Sequence, residues 1–313
     1  MLDSTVMRCP SPCLLTLVAL VVLSCSATPR TSRQPTSLEP AADNDVRLKA
    51  PEAEQAVPEE PASSQSPEAP STPPSPIRVA LYRAPGVSLE SHNATLEVLR
   101  GARGFTPRVV TPDEVRAGSL AGQHVVIFTG GRGSVQGEAL GEDGRQIVRD
   151  FVSNGGGYVG VCAGSYLALQ GSEEFYKLAI VAARNLSGDF WRRGEHTVEI
   201  QEVGSETVHR LFYANGPVFA RVDHETLPPY VELATFLSNY YLPAHGTRSG
   251  EMPGTPAILA TSYGTGRIIL FSPNPVLAAE GETASPDMML RAVRWVATHG
   301  PVPRSLRYAD VFR

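Results

Sequence analysis

From Ile77 to Val161 short apolar runs alternate with amphipathic stretches, and this alternation restricts the possible folds more than any other feature of the chain. Ile77–Arg83, Phe105–Val110, His124–Phe128 and Tyr158–Val161 are four runs of strand length. Between them lie helix patterns at Ser91–Leu99, after Thr111, and at Gly144–Asn154. The second opens on Thr111-Pro112-Asp113-Glu114, with threonine as N-cap, proline at the first helical position and glutamate three residues after the cap. The third carries Ile147, Val148, Phe151 and Val152 on one side and stops at Gly155-Gly156-Gly157. Strands and helices joined by short glycine-bearing connections predict an α/β fold, a mostly parallel sheet flanked by helices. Beyond Lys177 the pattern becomes β-rich, with strands expected at Leu178–Ala183, Thr197–Ile200, Val208–Tyr213, Val231–Phe236, Pro256–Tyr263 and Arg267–Phe271. Ser285-Pro286-Asp287 is expected to cap a last helix running to about Thr298.

The residues before Ile77 cannot share in that core. All 22 aromatic residues lie in 77–313, whereas 26–76 hold 11 of the 27 prolines. Rich in Pro, Ser, Ala and Glu, the segment buries too little apolar area to offset chain entropy and reads as a disordered tether. As a coil it would span roughly 40 Å. Ahead of it, Leu14–Leu23 is an apolar run of ten residues, too short to cross ~30 Å of hydrocarbon as a helix but suited to a signal-peptide core. It ends in Val22-Leu23-Ser24-Cys25, which resembles a bacterial lipobox. The expected organisation is a lipoprotein-type signal at 1–24, a tether at 25–76 that starts from a lipidated Cys25, and one folded domain at 77–313. That resemblance implies an exported lipoprotein, held on the periplasmic face of the outer membrane in a Gram-negative cell.

Charge and cysteine usage exclude further classes. The formal charge of −5 falls mostly on 26–76, which leaves the folded part near −1 with no lysine or arginine run. Nucleic-acid binding needs clustered cations to neutralise phosphate, and none is expected here. Of the four cysteines, only Cys162 lies in the folded part, so it contains no internal disulfide and no cysteine-rich zinc site. No His/Asp/Glu spacing suggests a metal, and no cofactor is expected.

Cys162 stands in Gly160-Val161-Cys162-Ala163-Gly164, after an apolar strand and before a helix-compatible stretch. A nucleophile at a sharp strand-to-helix turn needs unhindered backbone two positions before and two after it. The helix N-terminus then favours thiolate, and the Ala163 N–H can serve one half of an oxyanion hole.

Taken together, Phe128-Thr129-Gly130-Gly131-Arg132, the run Gly155–Tyr166, Phe212–Phe219 and Gly266–Pro273 resemble class I glutamine amidotransferase-like domains. Within that superfamily they look most like the N-terminal domain of biotin-protein ligase. The resemblance covers most of 77–275 and implies a flavodoxin-like fold, with Cys162 as nucleophile and Gly131 and Ala163 as oxyanion donors. Gly130, Gly164 and Asn215 would complete a binding pocket. Neither a catalytic biotin-ligase domain nor biotin binding follows from it. The family pattern places His-Pro-Glu after the last strand, and here Asn274-Pro275-Val276 stands instead. Asparagine cannot titrate and valine cannot orient a base, so the triad is broken in sequence. His224, His245, Glu173 and Glu174 are the candidate substitutes. Two readings follow. One is a tethered domain that binds a small molecule or peptide without turnover. The other is a cysteine-dependent amidase or hydrolase with a rebuilt base. An imidazole or carboxylate beside the sulfur would favour the second.

Overall fold

The computed structural model describes residues 75–171, 174–186 and 192–313, all within one compact unit. Cys25, the apolar run, the tether and Glu173 lie outside the described residues. Five strands form a parallel half-sheet. β1 (Ile77–Tyr82) pairs in parallel with β2 (Phe105–Val110) and with β3 (Val125–Phe128), β3 pairs with β4 (Gly157–Val161), and β4 pairs with β11 (Gly266–Phe271). The sheet then turns antiparallel through β10 (Pro256–Tyr263), β9 (Val231–Phe236), β6 (Glu195–Glu202) and β7 (Val208–Ala214), giving the order β2-β1-β3-β4-β11-β10-β9-β6-β7.

Alternate side chains of one strand feed two cores, as a period of two requires when both faces are covered. Val79 and Leu81 of β1 enter the core that includes α1 (Leu89–Gly101), α5 (Pro286–Val296) and α6 (Tyr308–Phe312). Ala80 and Tyr82 enter the one that includes α2 (Pro112–Arg116), α3 (Gly133–Ser153) and α4 (Ala163–Ala168). The expected capping box is present on α2: Glu114 N–H donates to Thr111 Oγ1 at 3.3 Å, and Thr111 N–H donates to the Glu114 carboxylate at 2.9 Å.

The structure departs from expectation in four places. α3 starts at Gly133 rather than Gly144, because Gly133, Gly137 and Gly141 erase the apolar period of its first half; the helix kinks at Gly141. Leu178–Ala183 is buried, as an apolar run should be, but it is not a strand. Its Leu178 and Ile180 N–H groups donate to the carbonyls of Leu167 and Ala168 at the end of α4. Beyond an isolated bridge from Val181 to Leu169, the paired strand is Ala183–Asn185 (β5), with Phe219–Arg221 (β8), in a separate two-stranded sheet. Ser285 sits at the N-cap of α5, but its side chain makes no capping bond. Finally, α6 went unanticipated; Glu202, 3% exposed, anchors it by accepting from Arg313 at 2.6 and 2.7 Å. Among the described residues no helix is long and apolar enough to cross a membrane.

Candidate functional site

β4 ends at Val161 and α4 begins at Ala163, so Cys162 alone makes the turn, with φ 52° and ψ −105°. Only tight packing on both sides holds an L-residue there. Its N–H donates to the Phe271 carbonyl at 2.8 Å, tying the turn to β11. Ser165, one turn into the helix, donates to the same carbonyl at 2.7 Å. Gly164 allows α4 to lie directly on β3: an added Cβ there would stand 2.0 Å from the Phe128 carbonyl oxygen. Gly164, expected to help form the pocket, thus seats the elbow helix.

The sulfur faces backbone groups. Its thiol donates to the Ala214 carbonyl at 3.4 Å, and the N–H groups of Ala163 and Gly131 approach closely enough to favour the thiolate. These are the two donors expected for an oxyanion hole. Burial outweighs them and pushes the thiol up to about 11. This corrects the expectation of a thiolate favoured by the helix start. A six-residue helix and two N–H groups do not offset the desolvation of the sulfur, though Cys162 as a residue is only half-buried.

Asn274, at the position of the missing base, is 5% exposed and bonded elsewhere. Its Oδ1 accepts from Val276 N–H at 3.0 Å, which fixes the orientation of the amide. Its Nδ2 donates to Ser91 Oγ at 2.8 Å, and its own N–H donates to the Phe212 carbonyl at 2.7 Å. No side-chain atom of Asn274 is a partner of the sulfur.

Residues 77–191, from β1 through the elbow, match the family model described as biotin-protein ligase, N terminal. No curated protein matches the chain. Several solved structures are similar. PurLQS from Thermotoga maritima is 14% identical, with TM-score 0.49, covering 71% of this chain and 97% of its own. A glutamine amidotransferase is 19% identical, with TM-score 0.46, over 70% and 98%. A ThuA-like protein from Parabacteroides merdae is 16% identical, with TM-score 0.47, over 76% and 98%.

Neither His224 nor His245 is a hydrogen-bond partner of the elbow sulfur. His224 is exposed and its Nδ1 accepts from Thr226 and Leu227 N–H groups, closing its own loop. His245 is exposed in the short 3-10 turn Pro243–His245. Glu174 opens another such turn, Glu174–Tyr176. Asn215 follows the carbonyl that receives the thiol, but its Oδ1 accepts from the N–H groups of Arg193 and Gly194 at 2.8 Å each. At φ 54° it shapes the loop, with its Oδ1 committed to these two backbone groups. Among the described residues no imidazole or carboxylate is a hydrogen-bond partner of the sulfur, and no group of His, Cys, Asp and Glu could hold a metal. A cavity of about 780 Å³, lined by Ile77, His124, Phe151 and Arg294, lies at the opposite ends of the parallel strands.

Two contributors escaped the sequence reading. Ala214 acts through its carbonyl, which no residue pattern reveals. Ser91 lies 71 residues before the cysteine in an ordinary helix opening, and only folding brings it beside Gly130 and Asn274.

Proposed function

We propose that residues 77–313 form a non-catalytic amidotransferase-like domain that binds a small molecule or peptide at the Cys162 elbow without turning it over. One observation carries this reading: the residue at the base position, Asn274, spends its amide on Ser91 and Val276, and the thiol proton rests on the Ala214 carbonyl. Amide cleavage by a thiol needs a group that takes this proton and returns it to the leaving amine. A carbonyl oxygen can accept the hydrogen bond but not the proton. The backbone N–H groups of Gly131 and Ala163 remain, and they suit a ligand carbonyl or carboxylate oxygen. We extend the reading to the whole chain as an exported lipoprotein, with Cys25 as membrane anchor and 26–76 as the tether, on the lipobox and the composition.

The test is ammonia release from L-glutamine by the full chain, beside Cys162→Ala. No release above that of the variant is expected. Release that depends on Cys162 would overturn the reading in favour of the amidase. For the anchor, Cys25→Ala is expected to leave the membrane fraction; a variant that stays there refutes lipidation at that residue.

A further inference from the structure

Ser91 occupies the first turn of α1, where its own N–H donates to the N-cap Ser88 Oγ at 3.3 Å. It is 2% exposed. Its hydroxyl oxygen accepts two bonds from segments far apart in sequence: Gly130 N–H at 3.2 Å, and Asn274 Nδ2 at 2.8 Å. A hydroxyl oxygen has two acceptor positions, so both are filled. The two partners belong to the loops that flank the elbow, one after β3 and the other after β11.

The Gly130 peptide is gripped from its other side as well. Its carbonyl accepts from Ser88 N–H at 2.8 Å and from Gln136 Nε2 at 3.3 Å. Gly131 follows with φ 131°, and a Cβ there would meet the Gly86 carbonyl oxygen at 2.1 Å. The Gly131 N–H is one of the two backbone groups that favour the Cys162 thiolate against the larger effect of burial. An added Cβ on Gly130 would lie 3.3 Å from Ser91 Oγ and 3.9 Å from the Cys162 Cβ, so the serine and the cysteine both border this one residue.

We propose that Ser91 is the positioning residue of the elbow site, its hydroxyl oxygen locking Gly130 and Asn274 into one rigid unit and thereby aiming the Gly131 N–H at Cys162. It acts through the turn and touches no ligand. The inference rests on the reading of Cys162 as the centre of the site. Without the hydroxyl, the Gly130 N–H and the Asn274 amide lose their shared acceptor in a closed space, and either can recover one only by moving. The Gly131 N–H turns with its neighbour, and the sulfur loses one of two donors that favour its thiolate.

The experiment is the pH profile of iodoacetamide alkylation of Cys162 in the full chain, with Cys9, Cys13 and Cys25 replaced by serine. Ser91→Ala is expected to slow alkylation at pH 9 by at least threefold and to move the profile upward. Ser91→Thr, which keeps the oxygen, restores it. Thr95→Ala removes a hydroxyl one turn further along the same helix, where it donates to the Ser91 carbonyl at 2.8 Å, and leaves the profile in place even if it lowers the melting temperature. A Ser91→Ala profile that is unshifted, or shifted downward, overturns the proposal, as does the same shift in Thr95→Ala. Should Ser91→Ala fail to fold, Asn274→Ala, which releases one arm of the bridge, must slow alkylation in the same direction, and an unshifted profile there is equally fatal. Failure of the underlying reading is separate: the unaltered protein would then show no alkylation at Cys162 even at pH 10.5.

Discussion

Replacing Cys162 by glycine should stabilise the protein relative to replacing it by alanine. Both substitutions remove the thiol and its bond to Ala214, so those losses cancel in the comparison. What differs is the Cβ. At φ 52° and ψ −105° a Cβ-bearing residue is strained by about 1–3 kcal/mol, and glycine is not. Glycine also gains freedom in the unfolded chain, which costs roughly 0.4–1 kcal/mol. The difference is about 0.5–2 kcal/mol in favour of glycine. For a domain of this size each kcal/mol moves the melting temperature by about 2–4 °C, so Cys162→Gly should melt some ~1–8 °C above Cys162→Ala. Thermal unfolding followed by circular dichroism measures it. Ala168→Gly, in the buried helix just beyond, supplies the opposite sign, since helical φ gives glycine nothing to relieve. A glycine variant melting at or below the alanine variant would show that the turn is unstrained and that Cys162 does not stand on a strained elbow.

Gly164→Ala should lower the melting temperature by more than about 5 °C, because its Cβ would meet the Phe128 carbonyl at 2.0 Å and backbone must move apart; an unchanged melting curve refutes the packing role. His92 is fully buried, with neither ring nitrogen in a hydrogen bond of ordinary geometry. Burial first, then the Arg83 charge, hold its pKa below the usual 6.5 against a smaller opposing pull from the Tyr82 backbone. The unfolded chain therefore takes up that proton first, so stability is complete above pH 6.5 and falls as pH drops toward the folded value, by up to about 1.4 kcal/mol per pH unit. His124, lowered by burial and Arg78, adds to the same trend. Urea denaturation from pH 7 to 5 should show a shallower acid slope in His92→Leu, and an identical slope would count against a neutral buried histidine. Arg313→Met leaves the Glu202 carboxylate with His209 alone and should cost about 1–3 kcal/mol; adding Glu202→Gln should recover part of it, and a fully additive double variant would deny the coupling.

The sequence by itself determined the parallel half of the fold. β3 and β4 are fully buried apolar runs because both of their faces are covered, and β1 nearly so; the edge strand β2, with Thr106 and Arg108 exposed, was legible from its place in the alternation. The capping box on α2 was equally legible, since all of its bonds lie within four residues. So was the elbow, because Gly160 and Gly164 are local requirements of one turn. The first half of α3 was hidden, since its glycines break the apolar period that marks a helix. Leu178–Ala183 was misread because burial makes a segment apolar whether it bonds to a strand or to the end of α4. At the site, the sequence supplied Cys162, the two N–H donors and the absence of a histidine at position 274. Only the tertiary structure decided the state of the thiol. The helix start that favours a thiolate is a local feature, whereas the desolvation that opposes it comes from segments brought together by folding. The same holds for Asn274. Its identity ruled out a base, but that its amide is bonded to Ser91, 183 residues away in the chain, is a fact of packing alone.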